Sequence, residues 1–372
     1  MKSIVPRIAL VEALGAVTAL VGSRTPKPIL GCVRIAAEDD VLRLSATDGE
    51  AGLHLTVPTL QIARAGVAVV PADRLQSIVR EMPDVELQIE ADDRYCTVRG
   101  SGGEFRIFVM NPADFPPVPG FEGDADVVVG GHNLRRMIGL TLYAAARETS
   151  RFAINGVLWE KVGKRLYLVA TDGRRLARAS DQVERTTAAD FRAILPAKAL
   201  TVFEKVFTPP RDGDDWVVQV RVLPNQVLLR DQDRVLSSVL IEGSFPDYHA
   251  VIPTSHDKRA RINREELFRA VRRAALLTTE ESRAVRLAFS AKELVITSQA
   301  PEQGDARVQV SAEFSGTPVE IGFNPAFLTD VLGRLPQEEV FLELQESHRP
   351  GVLCGEDKDE FLYVLMPVSL SN

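Results

Sequence analysis

Apolar and polar positions along this chain change period three times in the same order. From Arg7 to Val21 the run RIALVEALGAVTALV places Ile8, Val11, Leu14 and Val17 or Thr18 on one face at helical spacing, which predicts an amphipathic helix. VLRLSATDG and AGLHLTV then alternate, as the two arms of a hairpin do. A second helix is expected from Asp73 to about Met82, followed by the strands VELQIEA, YCTVRG and EFRIFVM. The next stretch repeats this order. A strand at Val127 to Val129 leads into a helix from Asn133 to Arg147, with Asn133 as its N-cap. INGVLWEKVGKRLYLVATDGRRLARAS supplies three strands, Lys198 to Phe207 a helix, and WVVQVRV, QVLLRDQ and RVLSSVLIEG the closing strands. After IPTSHDKRAR comes the third round: helix REELFRAVRRAALL, strands AVRLAFS, ELVITSQ and RVQVSAEF, helix Pro325 to Arg334, and strands VFLELQE, GVLCGE and FLYVLMPV. Two helices with antiparallel strands per unit predict an α+β fold.

Landmark strings confirm the period. LSATDGE at 44–50 returns as LVATDGRRL at 168–176, and Asp48 and Asp172 are about 124 residues apart, a normal domain length. In each, a strand runs into a tight turn whose glycine, Gly49 or Gly173, can take positive φ. VVPADRLQSIV at 69–79 is echoed by ILPAKALTVF at 194–203 and IGFNPAFLTDVL at 321–332. Pro71, Pro196 and Pro325 fall near the first helical turn, where a missing N–H costs little. DFPPV at 114–118 and SFPDYHAV at 244–251 precede the second and third units, and MPVSL at 366–370 closes the third. The expected domains are residues 1–122, 123–253 and 254–372.

With 45% hydrophobic and 26% charged residues, composition describes an ordinary globular chain long enough for several cores. Cys32, Cys96 and Cys354 are odd in number and scattered, which fits a reducing cytoplasm and disfavours a disulfide framework or a thiolate zinc site. Lys2 and Arg7 before an apolar run resemble a secretory leader, but Glu12 interrupts the run and suits an amphipathic helix better. No segment is apolar for long enough to span a membrane.

Net charge is −7, which by itself argues against nucleic-acid binding. Charge is segregated by element, however. The predicted helices and their ends carry Arg7, Arg24, Arg74, Arg80, Arg135, Arg136, Arg147, Lys198, Lys205, Arg264, Arg269, Arg272, Arg273 and Arg334, while acids cluster in hairpins such as Glu38-Asp39-Asp40 and Asp92-Asp93. Single helices with basic faces are usually just solvated. Recurrence in all three units points to one basic surface able to meet phosphate.

These strings together resemble the bacterial DNA polymerase III beta subunit family, the sliding clamps: RTPKPIL at 24–30, NPADFP at 111–116, RFAINGVL at 151–158, VATDGRRLA at 169–177, SFPDYHAVIP at 244–253, EIGFNP at 320–325 and YVLMPV at 363–368. The resemblance implies a non-catalytic processivity factor without a cofactor, in which two three-domain chains join head to tail as a ring around double-stranded DNA. It implies DNA contacts at Arg24, Arg80, Arg136, Arg147, Arg151, Phe152 and Lys198. Phe105 and Ile107 on an edge strand would meet Leu276 and Leu277, with Arg273 beside them, at the dimer interface. Ile154, Thr171, Gly173, Arg174, Arg175, Leu176, Pro246, Val251, Val364, Met366, Pro367 and Val368 would form a pocket for short linear peptides of DNA polymerase, clamp loader and repair proteins. The chain departs from the family pattern at Asp73 and Ala153, where a basic and an aromatic residue are common, and at Ala250 and Ser369, commonly basic.

Two other readings have sequence features behind them. Asp231 and Asp233 in RDQDR, or Asp172 with a neighbouring acid, suggest metal ligands for phosphoryl chemistry, but no His or Cys cluster and no Gly-rich phosphate loop accompanies them. A clamp-fold interaction scaffold or paralogue with a reduced DNA role would account for Asp73 and Ala153.

Overall fold

The computed structural model of the protein describes residues 1–22, 27–147, 153–210, 215–232, 234–278, 284–301 and 303–369. Arg24, Arg151, Phe152 and Asp233 of the expectations above lie outside these residues.

The first repeat runs β1 (Lys2–Pro6), α1 (Arg7–Val21), β2 (Cys32–Glu38), β3 (Val41–Thr47), β4 (Ala51–Pro58), β5 (Gln61–Arg64), β6 (Gly66–Pro71), α2 (Ala72–Glu81), β7 (Glu86–Ala91), β8 (Tyr95–Gly100) and β9 (Gly103–Phe108). The second runs β10 (Val127–Gly130), α3 (Gly131–Thr141), β11 (Gly156–Val162), β12 (Arg165–Thr171), β13 (Arg175–Gln182), β14 (Arg185–Thr186), β15 (Phe191–Pro196), α4 (Ala197–Val206), β16 (Val217–Val222), β17 (Gln226–Asp231) and β18 (Arg234–Val239). The third runs β19 (Lys258–Asn263), α5 (Arg264–Ala274), β20 (Val285–Phe289), β21 (Glu293–Ala300), β22 (Gly304–Ser315), β23 (Val319–Phe323), α6 (Pro325–Leu332), β24 (Glu339–Leu344), β25 (Gly351–Cys354) and β26 (Phe361–Leu365). The α+β architecture of three repeated domains holds.

Pairing repeats as well. The opening strand of each repeat pairs antiparallel with the strand after its second helix, β1 with β7, β10 with β16 and β19 with β24. The strand after the first helix pairs with the strand before the second, β2 with β6, β11 with β15 and β20 with β23.

The chain divides into two compact units. One comprises residues 1–134, 183–188 and 198–241, with a five-stranded sheet ordered β5-β1-β7-β8-β9 and a nine-stranded sheet ordered β14-β10-β16-β17-β18-β4-β3-β2-β6. The other comprises residues 135–182, 189–197 and 242–372, with a twelve-stranded sheet ordered β15-β11-β12-β13-β26-β25-β24-β19-β22-β21-β20-β23. Sheets therefore run across repeat boundaries, through β4–β18 in one unit and β13–β26 in the other.

Local chemistry accounts for most element ends. The side chains of Asn263 and Asn324 cap α5 and α6, accepting from the amides of Glu266 at 3.0 Å and Ala326 at 2.9 Å. Pro325 occupies the first turn of α6, and Pro71 and Pro196 directly precede α2 and α4.

The structure corrects four expectations. The first and third repeats open with strands β1 and β19 before their helices, and neither was read from the sequence. KSIVP is too short to show its alternation, and KRARIN is dominated by charge; both are strands because they are paired on two sides. Helix α1 buries Leu10, Leu14, Val17, Leu20 and Val21 and leaves Ile8 60% exposed, a rotation from the Ile8 and Val11 face. Apolar residues occupy most sides of α1, so periodicity alone does not fix its phase. Helix α3 starts at Gly131, not at an Asn133 cap, and gives way to a 3₁₀ turn at Leu142–Ala144. A Cβ at Gly131 would lie 2.2 Å from the Trp216 ring, so close packing sets that start.

Candidate functional site

The turn between β12 and β13 is built by its own side chains. The Thr171 hydroxyl donates to the Arg175 carbonyl at 2.7 Å and accepts from the Gly173 amide at 3.1 Å, while Asp172 accepts from the Arg174 and Arg175 amides at 3.0 and 3.1 Å. Gly173 sits at φ 84°, a conformation that disfavours a side chain.

Arg175 then ties this turn to the third repeat. Its Nε donates to Asp172 at 3.0 Å, one terminal nitrogen to Asp330 on α6 at 2.7 Å, and the other to the Tyr143 carbonyl at 2.8 Å. The guanidinium lies over the rings of Phe327 at 4.4 Å and Tyr143 at 5.5 Å, and its side chain is only 10% exposed. Tyr363 on β26 approaches Arg175 at 3.5 Å and donates to the Phe327 carbonyl at 3.2 Å. Burial pushes the Tyr143 phenol well above the usual tyrosine range, so it stays neutral beside the charge. Sequence reading named Arg175 and its neighbour Asp172 but linked neither to Tyr143, Asp330 or Tyr363, which lie 32 to 188 residues from Arg175.

Strand β13 brings β26 alongside, with Arg175 opposite Leu365 and Leu176 opposite Val364, and the Met366 amide donates to the Arg174 carbonyl at 3.0 Å. The tail continues past β23, where the Val368 amide donates to the Gly322 carbonyl at 2.8 Å. Pro246 and Val251 lie on the segment between the second and third repeats. The Ala153 amide donates to Ser244 at 3.4 Å, next to half-buried Ile154, and the Tyr248 hydroxyl donates to Glu160 at 2.5 Å. The expected pocket residues fall on these linked segments. Thr171, Leu176 and Val364 are buried, whereas Val251, Met366 and Val368 stay exposed by 49%, 43% and 37%. Water-exposed apolar groups beside a rigid polar turn suit an apolar peptide anchor, and Met366 can adapt its shape. Ala250 and Ser369 are also exposed.

The basic residues of the helices are mostly exposed: Arg74, Arg80, Arg147, Lys198, Lys205, Arg269, Arg272, Arg273 and Arg334. Two of the expected DNA contacts are engaged by acids. Arg136 donates to Asp181 at 2.9 Å, and Lys198 is ion-paired with Asp48. Burial works to raise the Asp48 carboxyl, but hydrogen bonds from the Ala51 amide and Lys198 outweigh it and hold it below the usual range.

Among the expected interface residues, Phe105 and Ile107 occupy one face of β9, an edge strand, with Phe105 42% exposed and Ile107 8%. Leu276 is 78% exposed in the 3₁₀ turn after α5, Leu277 is half-buried and Arg273 exposed. Sequence reading missed Phe108, 70% exposed on the other face of β9 against the Tyr95 ring.

The acids considered for metal chemistry have structural roles. Buried Asp231 accepts from the Trp216 indole at 2.9 Å, and Asp172 serves the turn and Arg175. Among the described residues no group of three His, Cys, Asp or Glu side chains is placed to hold a metal ion, and no helix is long and apolar enough to cross a membrane. All three cysteines are buried, and burial pushes Cys32, Cys96 and Cys354 up to about 11, 12 and 11.

Three sequence families match in chain order: the N-terminal domain of the DNA polymerase III beta subunit over residues 1–119, its central domain over 129–247 and its C-terminal domain over 249–369. The chain belongs to the DNA polymerase III beta subunit family. It is 32% identical over 371 residues to the beta sliding clamp of Pseudomonas aeruginosa and 31% identical over 371 residues to that of Escherichia coli, in each case covering 100% of both chains. Among solved structures, a Pseudomonas aeruginosa sliding clamp bound to griselimycin matches at TM-score 0.93 and 31% identity, and the beta subunit of Thermotoga maritima at TM-score 0.91 and 26% identity. Each match covers 100% of both chains.

Proposed function

We propose that two copies of this chain close head to tail around duplex DNA and hold polymerase and other DNA-processing proteins on it through short peptides. Family membership makes the protein a DNA sliding clamp in replication, an accessory factor whose effect is processivity. The three repeats, taken as residues 1–122, 123–253 and 254–372, each contribute two helices to the surface that would meet DNA.

One observation carries the ring. Each repeat joins the next by pairing its third sheet strand with the last strand of its successor, β4 with β18 and β13 with β26. Strand β9 and the outer edge of β22 from Gly304 to Ser311 are the remaining strands of these two kinds, and no such pairing is made by them among the described residues. Pairing them between two copies joins two different surfaces, which two chains can satisfy in a closed circle. Exposed Phe105 and Leu276 then gain cover, with Ile107, Leu277 and Arg273 beside them. The exposed bases on the helices need make only loose phosphate contacts, since retention is topological.

Arg80, Arg147 and, among the residues not described, Arg24, Arg151 and Phe152 remain the proposed DNA contacts. Arg136 and Lys198 would first have to leave Asp181 and Asp48, and these pairings favour a second reading in which the clamp fold serves mainly as a scaffold. Trapping on nicked circular DNA separates the two. A clamp loaded by its loader should stay on circles through gel filtration and leave within minutes once the plasmid is linearised. Equal retention on linear DNA, or none on circles, would refute encirclement. At the pocket, exposed Ala250 and Ser369 replace common bases, so a panel of clamp-binding peptides should rank differently here than on a typical clamp; an unchanged ranking would remove that claim.

A further inference from the structure

We propose that the seam between two copies has a single register, with Ile107 on β9 opposite Gly304 on the second copy's β22, selected by two ion pairs, Arg106 with Asp305 and Glu104 with Arg307. This rests on the dimer reading above and extends it by stating which residues meet.

Side-chain alternation restricts the choice first. Successive residues of a strand face opposite sides, so a register slip of one residue would exchange buried and solvent faces. At both junctions within the chain buried meets buried: Leu53 lies opposite Leu236, and Ala177 opposite Tyr363. On β9 the inner side carries Phe105 and Ile107, and Glu104, Arg106 and Phe108 are exposed. On β22 the inner side carries Ala306, Val308, Val310 and Ala312, and Asp305, Arg307 and Gln309 are exposed. Ile107 must therefore face an even-numbered residue of β22, and the allowed registers differ in steps of two.

Charge chooses among them. With Ile107 opposite Gly304, antiparallel pairing sets Arg106 against Asp305 and Glu104 against Arg307. Slipping two residues towards the β21–β22 turn would set Glu104 against Asp305, and slipping two the other way would set Arg106 against Arg307. Directly opposed like charges destabilise a strand pair, so both neighbours are disfavoured. Within its own sheet Glu104 is already positioned by Arg99 at 2.6 Å and Arg106 at 2.8 Å.

The internal junctions give the same answer independently. Hairpin β17–β18 closes with Asp231 opposite Arg234, and β8–β9 closes with Gly100 opposite Gly103, so Ile107 is the counterpart of Ser238. Ser238 pairs with Ala51, the first residue of β4, and Gly304 is the first residue of β22. In this register Phe105 faces small Ala306, on the side of β22 against which α5 packs.

Two experiments on the full chain test this. Residues directly opposite in an antiparallel pair lie about 4.5–5.5 Å apart at Cα, within disulfide reach, and diagonal neighbours lie beyond it. A variant carrying Arg106→Cys and Asp305→Cys should give covalent dimers on mild oxidation, whereas Arg106→Cys with Arg307→Cys should not; the native thiols are buried. In the second, Glu104→Arg should weaken the dimer about tenfold by dilution mass photometry, and adding Arg307→Glu should restore it to within about threefold. A wild-type chain that stays monomeric at tens of micromolar would overturn the dimer reading and this one together. If the wild-type chain dimerises but the variant with Arg106→Cys and Arg307→Cys is the one that cross-links, or the charge swap fails to restore affinity, the register alone is overturned.

Discussion

The two strand junctions inside the chain are built on one plan and finished differently. At the first, the turn before β4 has the Thr47 hydroxyl donating to Ala51 at 2.7 Å and accepting from Gly49 at 3.0 Å, with Asp48 accepting from the Glu50 and Ala51 amides at 2.9 and 2.8 Å. These are the bonds of the Thr171 turn, position for position. The strands that follow share a register, Ala51 opposite Ser238 and Gly52 opposite Ser237, against Arg175 opposite Leu365 and Leu176 opposite Val364. Even the exit bond repeats: the Val239 amide donates to Glu50 at 2.9 Å, as Met366 does to Arg174 at 3.0 Å.

What differs is which side chains fill the space. Gly52 and Ser237 are small, and the chain's own Val118 lies over them; a Cβ on Gly52 would come 2.5 Å from the Val118 side chain. His54 fastens the same segment, with one ring nitrogen 3.0 Å from the Val118 carbonyl and the other 2.9 Å from the Ser45 hydroxyl. The first junction is thus occupied by its linker. At the second, Leu176 and Val364 form the floor, Arg175 replaces Ala51, and Val251, Met366 and Val368 are left exposed. The same scaffold thus leaves apolar side chains open to water at the second junction, the place proposed above for peptide binding.

The largest expected effect breaks the second junction. Arg175→Ala strands Asp172 and the partly exposed Asp330, and should cost about 2–4 kcal/mol by urea unfolding. Arg175→Lys should recover little, since a point charge cannot make the forked and stacked contacts. If Arg175→Ala loses less than about 0.5 kcal/mol, the tie is not what holds this junction.

A smaller effect tests the filling of the first junction. Gly52→Ala should cost about 1–3 kcal/mol through overpacking, and the same change in a Val118→Ala background should cost clearly less. Additive costs would mean that Val118 does not occupy the space.

The smallest is a pH effect. Burial lowers the His54 pKa from its ordinary value, so the folded state favours neutral imidazole. Its contribution is present above the ordinary histidine range near 6.5 and is lost as pH falls from there through the lowered folded value. The wild-type Tm should therefore fall more steeply below pH 6.5 than that of His54→Gln. Parallel curves would assign the acid sensitivity to other groups.

Sequence alone gave the repeat, the α+β class and most elements, because period, turn glycines and helix-start prolines are local signals; α1 was read with the ends it has, Arg7 and Val21. It also gave the candidate pocket through the TDG and MPV strings, by resemblance. It did not give the phase of α1, whose apolar residues surround it, or strands β1 and β19, which exist through pairing on both sides. Nor did the two TDG copies reveal that one junction is filled by Val118 and the other riveted by Arg175. Those outcomes depend on groups that meet across 32 to 188 positions of chain, and only tertiary packing decides which of them share a volume.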